Sequence, residues 1–511
     1  MNIPPSYSSL STQQFPFTSV QSDEINFDEI LNKDMAIRRF CPERMDQDPD
    51  LKDYLFEIET WSSSFDSSSP PCSGCDDEDS SFIDSVINTS LFEELPESTD
   101  NGFASYLEDT TMQPVLMDNA DPDTAPASIN EGLELVHLLL ACAEAVACRD
   151  TTLAASIFSQ IWPLADQNGD SLKRVCFHFA VGLKSRLSLL QTVGVSGSLN
   201  TASTNKDNPI VTKEEKMEAF HHLYETTPYI SFAFMAANDS ICQAAKGKDY
   251  LHIVDLGMSH AIQWHNLIQM LASHSEGPPR IRITGITSSD SRISDLESNM
   301  KILLKNANTI GVHIEFRIMN ESSLLTAENL DIRQGETLVF NSIMHLHRYV
   351  KETRGSLKAV LVAIKKLKPE LFTIVEQDAN HNGPFFLARF LESLHYYSAV
   401  FDSLEASLTR SSLRRMKIEN SYFADAIRNI IACEGGERVE RHERADQWRR
   451  QLGRAGFQGV GIESVSQVKM LVSAYNCDGY TTGSEKGCLL LGWKGRPIMW
   501  ASAWKVNSSH S

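Results

Sequence analysis

The sequence of 511 residues predicts an α/β protein with a doubly wound parallel sheet, a helical segment before it and a disordered tail at the start. Three observations predict this. Short apolar segments alternate with helical patterns between residues 248 and 380, as in parallel strands joined by crossover helices. Two further apolar segments near the C-terminus flank a Lys-Gly-Arg-Pro turn, which favours an antiparallel hairpin. The whole excess of negative charge, which gives the chain its net charge of −21, lies in the first quarter of the chain.

The tail is defined by its charge. Residues 1–130 hold 5 Lys and Arg against 27 Asp and Glu, whereas the other 381 residues hold 41 basic and 40 acidic side chains. Such self-repulsion, with little to bury, cannot offset the entropy of ordering, so we expect disorder. Acidic-hydrophobic alternation, typical of activation segments, surrounds four aromatic residues: Phe27, Phe56, Phe92 and Tyr106. The alternative is a solubilising tail.

Targeting, membrane and metal signals are weak. The first residues lack the basic start and apolar core of a signal peptide. The most apolar early run, 135–143, is shorter than the roughly 20 residues that span a bilayer, so no membrane association is expected. The cysteines are scattered, as free thiols are in a reducing compartment. Cys72 and Cys75 form a CxxC pair without a second pair at zinc spacing, and no metal site is predicted.

Residues 131–511 are predicted to fold, with 131–247 as a mostly helical cap and 248–511 as an α/β core. In the first part apolar residues recur at helical spacing from Leu135 to Val146 and from Leu172 to Leu183. A later helical pattern is broken at Pro228, and the next one ends at Gly247, a suitable C-cap.

The α/β part contains five predicted strands in order. They are 250–256, 280–286, 312–316, 338–341 and 371–376. Helical patterns lie between most of them, which predicts parallel pairing. Because a hairpin over residues 487–504 follows, the layout is that of a Rossmann-like, methyltransferase-like sheet.

A methyltransferase of this fold needs a glycine-rich turn after the first strand and an acid at the end of the second. The first strand ends in Asp255-Leu256-Gly257, but Met258 and Ser259 follow in place of a second glycine. The second strand is followed by Thr287, with no acid before Asp290. The sequence therefore favours a retained fold without catalysis or cofactor, with an S-adenosylmethionine-dependent methyltransferase as the alternative. Asp255 is then expected to cap the turn that follows it.

Other catalytic patterns are absent from the sequence. There is no G-x-S-x-G and no phosphate-binding G-x-x-x-x-G-K-[ST]. His345 and His347 have no acid or Cys at metal spacing nearby in the sequence, so they are interpreted as core or hydrogen-bonded histidines. We therefore predict no enzyme activity.

Basic residues cluster at Arg410, Arg414, Arg415 and Lys417, and again between 438 and 450. These four are candidates for DNA contact, although a salt-bridged helix face is the alternative. A folded part with a net charge of +1 predicts weak DNA binding at most.

Several segments together resemble the plant GRAS family of transcriptional regulators. Leu135, Leu138 and Leu139 form an L-x-x-L-L match at the start of what resembles its first leucine-rich region. These leucines could enter a partner's groove or could be core. The residues His252, Ile253, Val254 and Asp255 resemble the VHIID motif. Pro384 and Phe385 resemble the PFYRE region, and five residues resemble the SAW region: Arg438 and Arg441 in one loop, and Trp493, Trp500 and Trp504 in the hairpin. The tryptophans of the hairpin are expected to be packing residues, with Trp500 and Trp504 on one strand face.

The resemblance implies a nuclear, non-enzymatic transcriptional co-regulator of plant development, signalling or root symbiosis. It implies partners of two kinds, namely other GRAS proteins and sequence-specific DNA-binding factors. Residues 28–32, Asp-Glu-Ile-Leu-Asn, only superficially resemble D-E-L-L-A, and no T-V-H-Y-N-P follows. The chain is therefore not expected to be a true DELLA protein, and a SCARECROW-like or symbiosis-linked branch is favoured.

Overall fold

The computed structural model describes residues 125–511 apart from 197–210, 274–276, 289–292, 322–324, 353–354, 476 and 508–511. Within it, Ser128–Ser511 form one compact unit. The four aromatic residues of the acidic tail, Phe27, Phe56, Phe92 and Tyr106, lie outside the described residues, as do Cys72 and Cys75.

Five helices come first: α1 (Ala125–Ala147), α2 (Thr151–Ile161), α3 (Ser171–Ser196), α4 (Lys213–Thr226) and α5 (Pro228–Ala245). Local signals set their ends. Thr212 and Glu215 form a capping box at the start of α4. Pro228 is the first residue of α5, where its missing N–H leaves no hydrogen bond unmade. Gly247 follows the end of α5 with a φ of 66°, a conformation that favours glycine. The predicted break and the predicted C-cap are both confirmed.

Nine strands form one sheet in the described part of the chain. They are β1 (Tyr250–Leu256), β2 (Arg280–Thr287), β3 (Ile314–Asn320), β4 (Thr337–Ile343), β5 (Leu371–Gln377), β6 (Phe457–Val460), β7 (Tyr480–Glu485), β8 (Cys488–Trp493) and β9 (Arg496–Val506). Their order is β3-β2-β1-β4-β5-β9-β8-β7, and β6 pairs with β9. The first five strands are parallel, whereas β9 runs antiparallel to its neighbours. This confirms the predicted doubly wound sheet with its antiparallel hairpin.

The remaining helices cover the sheet or extend the cap. They are α6 (Ile262–Ala272), α7 (Ile293–Thr309), α8 (Gly355–Lys366), α9 (Phe386–Ser407), α10 (Leu413–Lys417), α11 (Ala424–Ala432), α12 (Ala445–Ala455) and α13 (Val465–Ser473). Central strand β5 is buried at every position, as expected when helices cover both faces of a parallel sheet. On one face the core cluster joins α8 and α12 to the sheet, and it includes Trp448, Trp500 and Trp504. Trp500 and Trp504 therefore share one face, as the strand alternation predicts.

The cap is built from two separate chain segments. Helices α9 and α11 pack against α3, with the rings of Phe179 and Phe390 5.4 Å apart. A Cβ on Gly182 would lie 3.0 Å from Ile431, so glycine permits the close approach of α3 and α11. In addition, α5 packs directly on β4, β5 and β9. Residues beyond 247 therefore also form part of the cap, and helix α5, which precedes residue 247, packs on the sheet as part of the core.

Candidate functional site: a cleft at the ends of the parallel strands

A cavity of about 1770 Å³ lies where the carboxyl ends of β1, β4 and β5 face the cap. In open α/β sheets, ligands bind outside the carboxyl ends of the strands, so this is the candidate site of the fold. The sheet side includes Asp255, Gly257 and Gln377. The cap side includes Phe177 of α3 and Tyr422, which lies in a single π-helical turn between α10 and α11.

The turn after β1 does not offer the space that a nucleotide cofactor needs. Gly257 has a φ of 83°, but a Cβ there would lie 2.0 Å from the ring of His345, so that ring covers the glycine. Met258 covers Gly285 of β2 in the same way, at 2.3 Å. His345 is held in place because its Nε2 lies 3.2 Å from Oε1 of Glu321. The residues present therefore do not fit S-adenosylmethionine.

The Asp255 side chain belongs to a buried polar network and does not bond the backbone of the turn that follows β1. Its Oδ1 accepts a hydrogen bond of 2.8 Å from Asn341, and Asn341 in turn accepts one from Thr373 at 2.8 Å. The backbone N–H groups of the turn instead donate to the carbonyl of Ile286. The expectation that Asp255 caps the turn is therefore wrong. Burial raises the pKa of the Asp255 carboxyl to about 7, although the bond from Asn341 opposes the rise.

The network reaches the cap through Gln263 of α6. Asn341 donates to Oε1 of Gln263 at 3.1 Å, and Gln263 donates to Oδ1 of Asn238 in α5 at 3.0 Å. The polar side chains at the ends of β1 and β4 thus connect the sheet to α5.

His252, the first residue of the VHIID-like motif, stabilises the sheet away from the cleft. Arg282 donates to its Nδ1 at 3.0 Å, and the other ring nitrogen lies 2.8 Å from Oγ1 of Thr284. Burial, aided by Arg282, lowers the pKa of His252 to about 4. The next residues, Ile253 and Val254, are fully buried apolar side chains. Three of the four motif residues therefore stabilise the sheet and do not line the cleft.

The PFYRE-like and SAW-like residues hold the loops around β5. Arg438 donates to the carbonyl of His381 at 3.0 Å, and Arg441 donates to Oδ1 of Asn382 at 3.1 Å. Both guanidinium groups are buried. Pro384 is exposed and Phe385 half-buried, immediately before α9.

The hairpin tryptophans are buried. Trp493 donates to Oδ2 of Asp402 at 2.6 Å, which connects the hairpin to α9. Trp500 packs against Trp448 with ring centroids 6.3 Å apart, and Trp504 donates to Oγ of Ser502 at 2.7 Å.

Four side chains from three separate segments of the chain meet beside the cleft, and three of them line it. His347 lies in a 3₁₀ turn after β4, Glu376 in β5, and Glu440 and His442 in the loop before α12. Nδ1 of His347 lies 2.8 Å from Glu376, and Nε2 of His442 lies 3.1 Å from Glu440. The interpretation of His347 as a core or hydrogen-bonded histidine is confirmed, although sequence spacing did not predict the two carboxylates that the fold brings to it.

The charges of this cluster are coupled. Burial disfavours protonated His347, but Glu376 and Glu440 outweigh burial and raise its pKa to about 9. Burial likewise disfavours ionised Glu376, but His347 and His442 hold its pKa at about 2. Sequence spacing does not reveal this cluster, because His347 and Glu376 precede Glu440 and His442 by more than 60 residues.

The candidate DNA-contact residues are not alike. Arg415 is buried and paired with Glu419, so it cannot reach a phosphate, and its assignment as a DNA contact is wrong. The other three are exposed but paired with carboxylates: Arg410 with Glu405, Arg414 with Glu225, and Lys417 with Glu218. This arrangement matches the salt-bridged face that the sequence left as the alternative.

The three leucines of the L-x-x-L-L match differ in exposure. Leu135 and Leu139 are fully buried, and Leu138 is half-buried. A groove that takes all three would require α1 to leave the core, so docking through them remains a prediction. None of the helices described is both long enough and apolar enough to cross a membrane.

Comparisons with other proteins agree with these features. A model of the GRAS domain family matches residues 135–505. The GRAS family protein RAD1 of Lotus japonicus is 46% identical over 381 residues, covering 73% of this chain and 74% of that protein. DELLA protein RGL1 of Arabidopsis thaliana is 39% identical over 385 residues, covering 74% and 70%. The crystal structure of SCL7 in Oryza sativa superposes with a TM-score of 0.64 and 28% identity, over 73% of this chain and 99% of that one.

Proposed function

The chain belongs to the GRAS domain family, and from this premise we propose that it acts in the nucleus as a non-enzymatic transcriptional co-regulator. The family and its relatives make it a plant transcriptional regulator of development or symbiosis. In this proposal it works through complexes with other GRAS proteins and with sequence-specific DNA-binding factors.

The observation that carries the non-enzymatic part is the covered turn after β1. A dinucleotide or nucleoside cofactor needs close backbone approach at that glycine, and His345 occupies the space over Gly257. Thr287 ends β2 where a cofactor-binding sheet places an acid for the ribose hydroxyls. The methyltransferase alternative would require both features to be rearranged.

We place the protein outside the DELLA branch and in a symbiosis-linked branch. Identity to the two RAD1 proteins, from Lotus japonicus and Medicago truncatula, is 46%, whereas identity to RGL1 is 39%. The acidic tail lacks the paired DELLA-branch signatures, which supports the same placement.

DNA is reached mainly through partners in this proposal. The exposed side chains of Arg410, Arg414 and Lys417 each have a carboxylate partner, and phosphate binding would first have to break those pairs. The acidic tail adds long-range repulsion of DNA, which is also negatively charged.

Tethered activation tests the function of the tail. The full chain is fused to a heterologous DNA-binding domain, and reporter output is compared with that of a variant carrying Phe27→Ala, Phe56→Ala, Phe92→Ala and Tyr106→Ala. We expect the fusion to activate and the quadruple variant to fall to near background. The reason is that a partner's groove would bind the aromatic rings that the acids keep in water.

A matched control replaces four other aromatic residues of the tail by alanine: Tyr7, Phe15, Phe17 and Phe65. This control should keep most of the activity, because these residues lie outside the acidic apolar clusters. An inert wild-type fusion at normal protein levels, or equal losses in both quadruple variants, contradicts the proposed role.

A further inference from the structure

The His347–Glu376–Glu440–His442 cluster is not used by the proposed function. Its side chains are almost completely buried, with 14% exposure for Glu440 and 3% or less for the others. Three of them, His347, Glu440 and His442, also line the cleft. Burying two carboxylates costs free energy unless cations or hydrogen-bond donors neutralise them, so both carboxylates need cationic partners.

The geometry of three of these side chains is that of a metal site. Oε2 of Glu440 lies 3.3 Å from Nε2 of His347 and 3.1 Å from Nε2 of His442. Ligand atoms that each lie about 2.0–2.1 Å from a tetrahedrally coordinated metal ion are about 3.3 Å from one another. The ligand atoms of the three residues all lie within 4.8 Å of one another, so rotation of the imidazole rings can bring the two histidine nitrogens to the separation that a shared metal ion requires.

The fourth side chain orients the first histidine. Glu376 accepts from the backbone N–H of His347 at 3.1 Å with one oxygen, and its other oxygen lies 2.8 Å from Nδ1. A proton on Nδ1 leaves the lone pair of Nε2 available for a metal ion, and Nε2 lies 3.3 Å from Oε2 of Glu440 without the geometry of a hydrogen bond. A carboxylate behind a ligating histidine is the usual second layer of a metal centre.

From these contacts we propose that Nε2 of His347, Nε2 of His442 and a carboxylate oxygen of Glu440 bind one divalent transition-metal ion. Two imidazoles and one carboxylate suit Zn²⁺ or Fe²⁺ and not the harder Ca²⁺ or Mg²⁺, which prefer oxygen ligands. Glu376 is a positioning residue. One coordination position is left for a water molecule or a ligand from the cleft. The ion would join the end of β4 to the SAW-like loop.

Metal binding by the full chain tests this directly. All proteins carry Cys72→Ser and Cys75→Ser, so that the thiols of the tail cannot bind zinc. After chelation and dialysis, each protein is titrated with Zn²⁺ against a chromophoric chelator, and Co²⁺ is added separately to record its visible spectrum. We expect one tight equivalent of Zn²⁺, a Co²⁺ spectrum of a four- or five-coordinate site without thiolate bands, and no competition by Mg²⁺.

The variants locate the site. Glu440→Gln and His442→Gln should each weaken Zn²⁺ binding by about 100-fold or more, and Glu376→Gln by about 10–100-fold, as removal of second-layer partners does. His313→Gln is the matched control, because His313 and Glu315 form an exposed pair; its binding should be unchanged.

The same four side chains could instead neutralise one another as an ion-pair cluster with protonated histidines. In that case the wild type takes up no tight equivalent, and its Co²⁺ spectrum is that of the hexaaqua ion. Either result overturns the proposal, as does binding that folded Glu440→Gln retains. If a variant loses its near-ultraviolet circular dichroism, the wild-type Co²⁺ spectrum alone decides.

Discussion

Asp255 is a carboxyl whose ionisation costs stability. It is 7% exposed, its one described side-chain donor is Asn341, and its pKa is raised from 3.8 to about 7 by burial. A neutral donor compensates only part of the desolvation of a carboxylate. The folded protein therefore prefers the protonated form of Asp255, whereas the unfolded chain ionises it from about pH 4 upward.

The stability of the wild type should consequently fall relative to Asp255→Asn as the pH rises from about 4 to 7. Below pH 4 the Asp255 carboxyl is protonated in both the folded and the unfolded protein, so its pKa difference has no effect on stability. Above pH 7 the carboxyl is ionised in both, and the loss of folding free energy reaches about 4 kcal/mol for a pKa raised by about three. Thermal unfolding of the full chain at pH 4.5, 6 and 8 measures this. Asp255→Asn should be increasingly more stable than wild type toward pH 8.

Asp249→Asn is the control, because Asp249 is an exposed carboxyl beside the same strand. Its difference from wild type should stay small and nearly constant with pH. A constant difference for Asp255→Asn as well would contradict the burial argument.

Single residues also show what the sequence could not predict. Asp255 was recognised at the end of a strand, but its partner Asn341 is 86 residues away. Likewise His347 meets Glu440 and His442 only because two loops converge on β5. Side-chain partners of this kind depend on tertiary packing, which a single sequence without spacing motifs does not encode locally.

At the scale of elements, prediction succeeded where burial is continuous. β1 is predicted with its observed bounds, Tyr250–Leu256, because the strand is mostly apolar, with only His252 and Asp255 as strongly polar residues, as a central parallel strand is expected to be. β6 and β7 were missed. β6 has four residues including Gly459, and β7 has a largely exposed polar sequence, Thr-Thr-Gly-Ser-Glu after Tyr480, so neither shows a clear pattern.

The turn between β1 and α6 gives an element-scale prediction. Because His345 covers Gly257 and Met258 covers Gly285, calorimetric titration of the full chain with S-adenosylmethionine should give no heat of binding at ligand concentrations up to the millimolar range. Micromolar binding by the wild type would mean that the turn opens, and the methyltransferase alternative would return.

His345→Ala is the informative companion variant, since it removes the ring from the space over Gly257. Any affinity should appear first in this variant. The affinity of His345→Ala for S-adenosylmethionine should remain weak, because Thr287 occupies the position where an acid would bind the ribose hydroxyls. His265→Ala, at a half-buried histidine of α6 outside the lining of the cleft, serves as the control.

At the scale of the whole molecule, the net charge of −21 is a property of the tail rather than of the fold. The 381 residues after position 130 are nearly neutral. A neutral folded part with paired surface cations is poorly suited to bind DNA by electrostatics alone. An acidic tail with aromatic clusters favours protein partners instead, which is why we place DNA contact mainly with those partners.

The cap and the sheet are expected to unfold together. They belong to one compact unit, Ser128–Ser511, and α5 packs directly on the central strands. Inside the cap, the Glu419 carboxylate lies 3.0 Å from Nε of Arg174 and also pairs with Arg415, and all three side chains are buried. Removing the carboxylate would leave two buried guanidinium groups beside a neutral amide.

Glu419→Gln should therefore destabilise the protein by about 3 kcal/mol, which lowers Tm by about 4 °C for a folded unit of this size. Far-ultraviolet circular dichroism reports mainly the helices. Tryptophan fluorescence reports mainly the sheet side, where five of the seven tryptophans lie: Trp264, Trp448, Trp493, Trp500 and Trp504. Both transitions should shift by the same amount, because the cap cannot unfold without exposing the face of the sheet under α5.

Glu405→Gln is the matched control, since Glu405 also pairs with Arg174 but is 22% exposed, and its effect should be smaller. A shift of the circular dichroism transition alone would show that the cap melts as a separate unit.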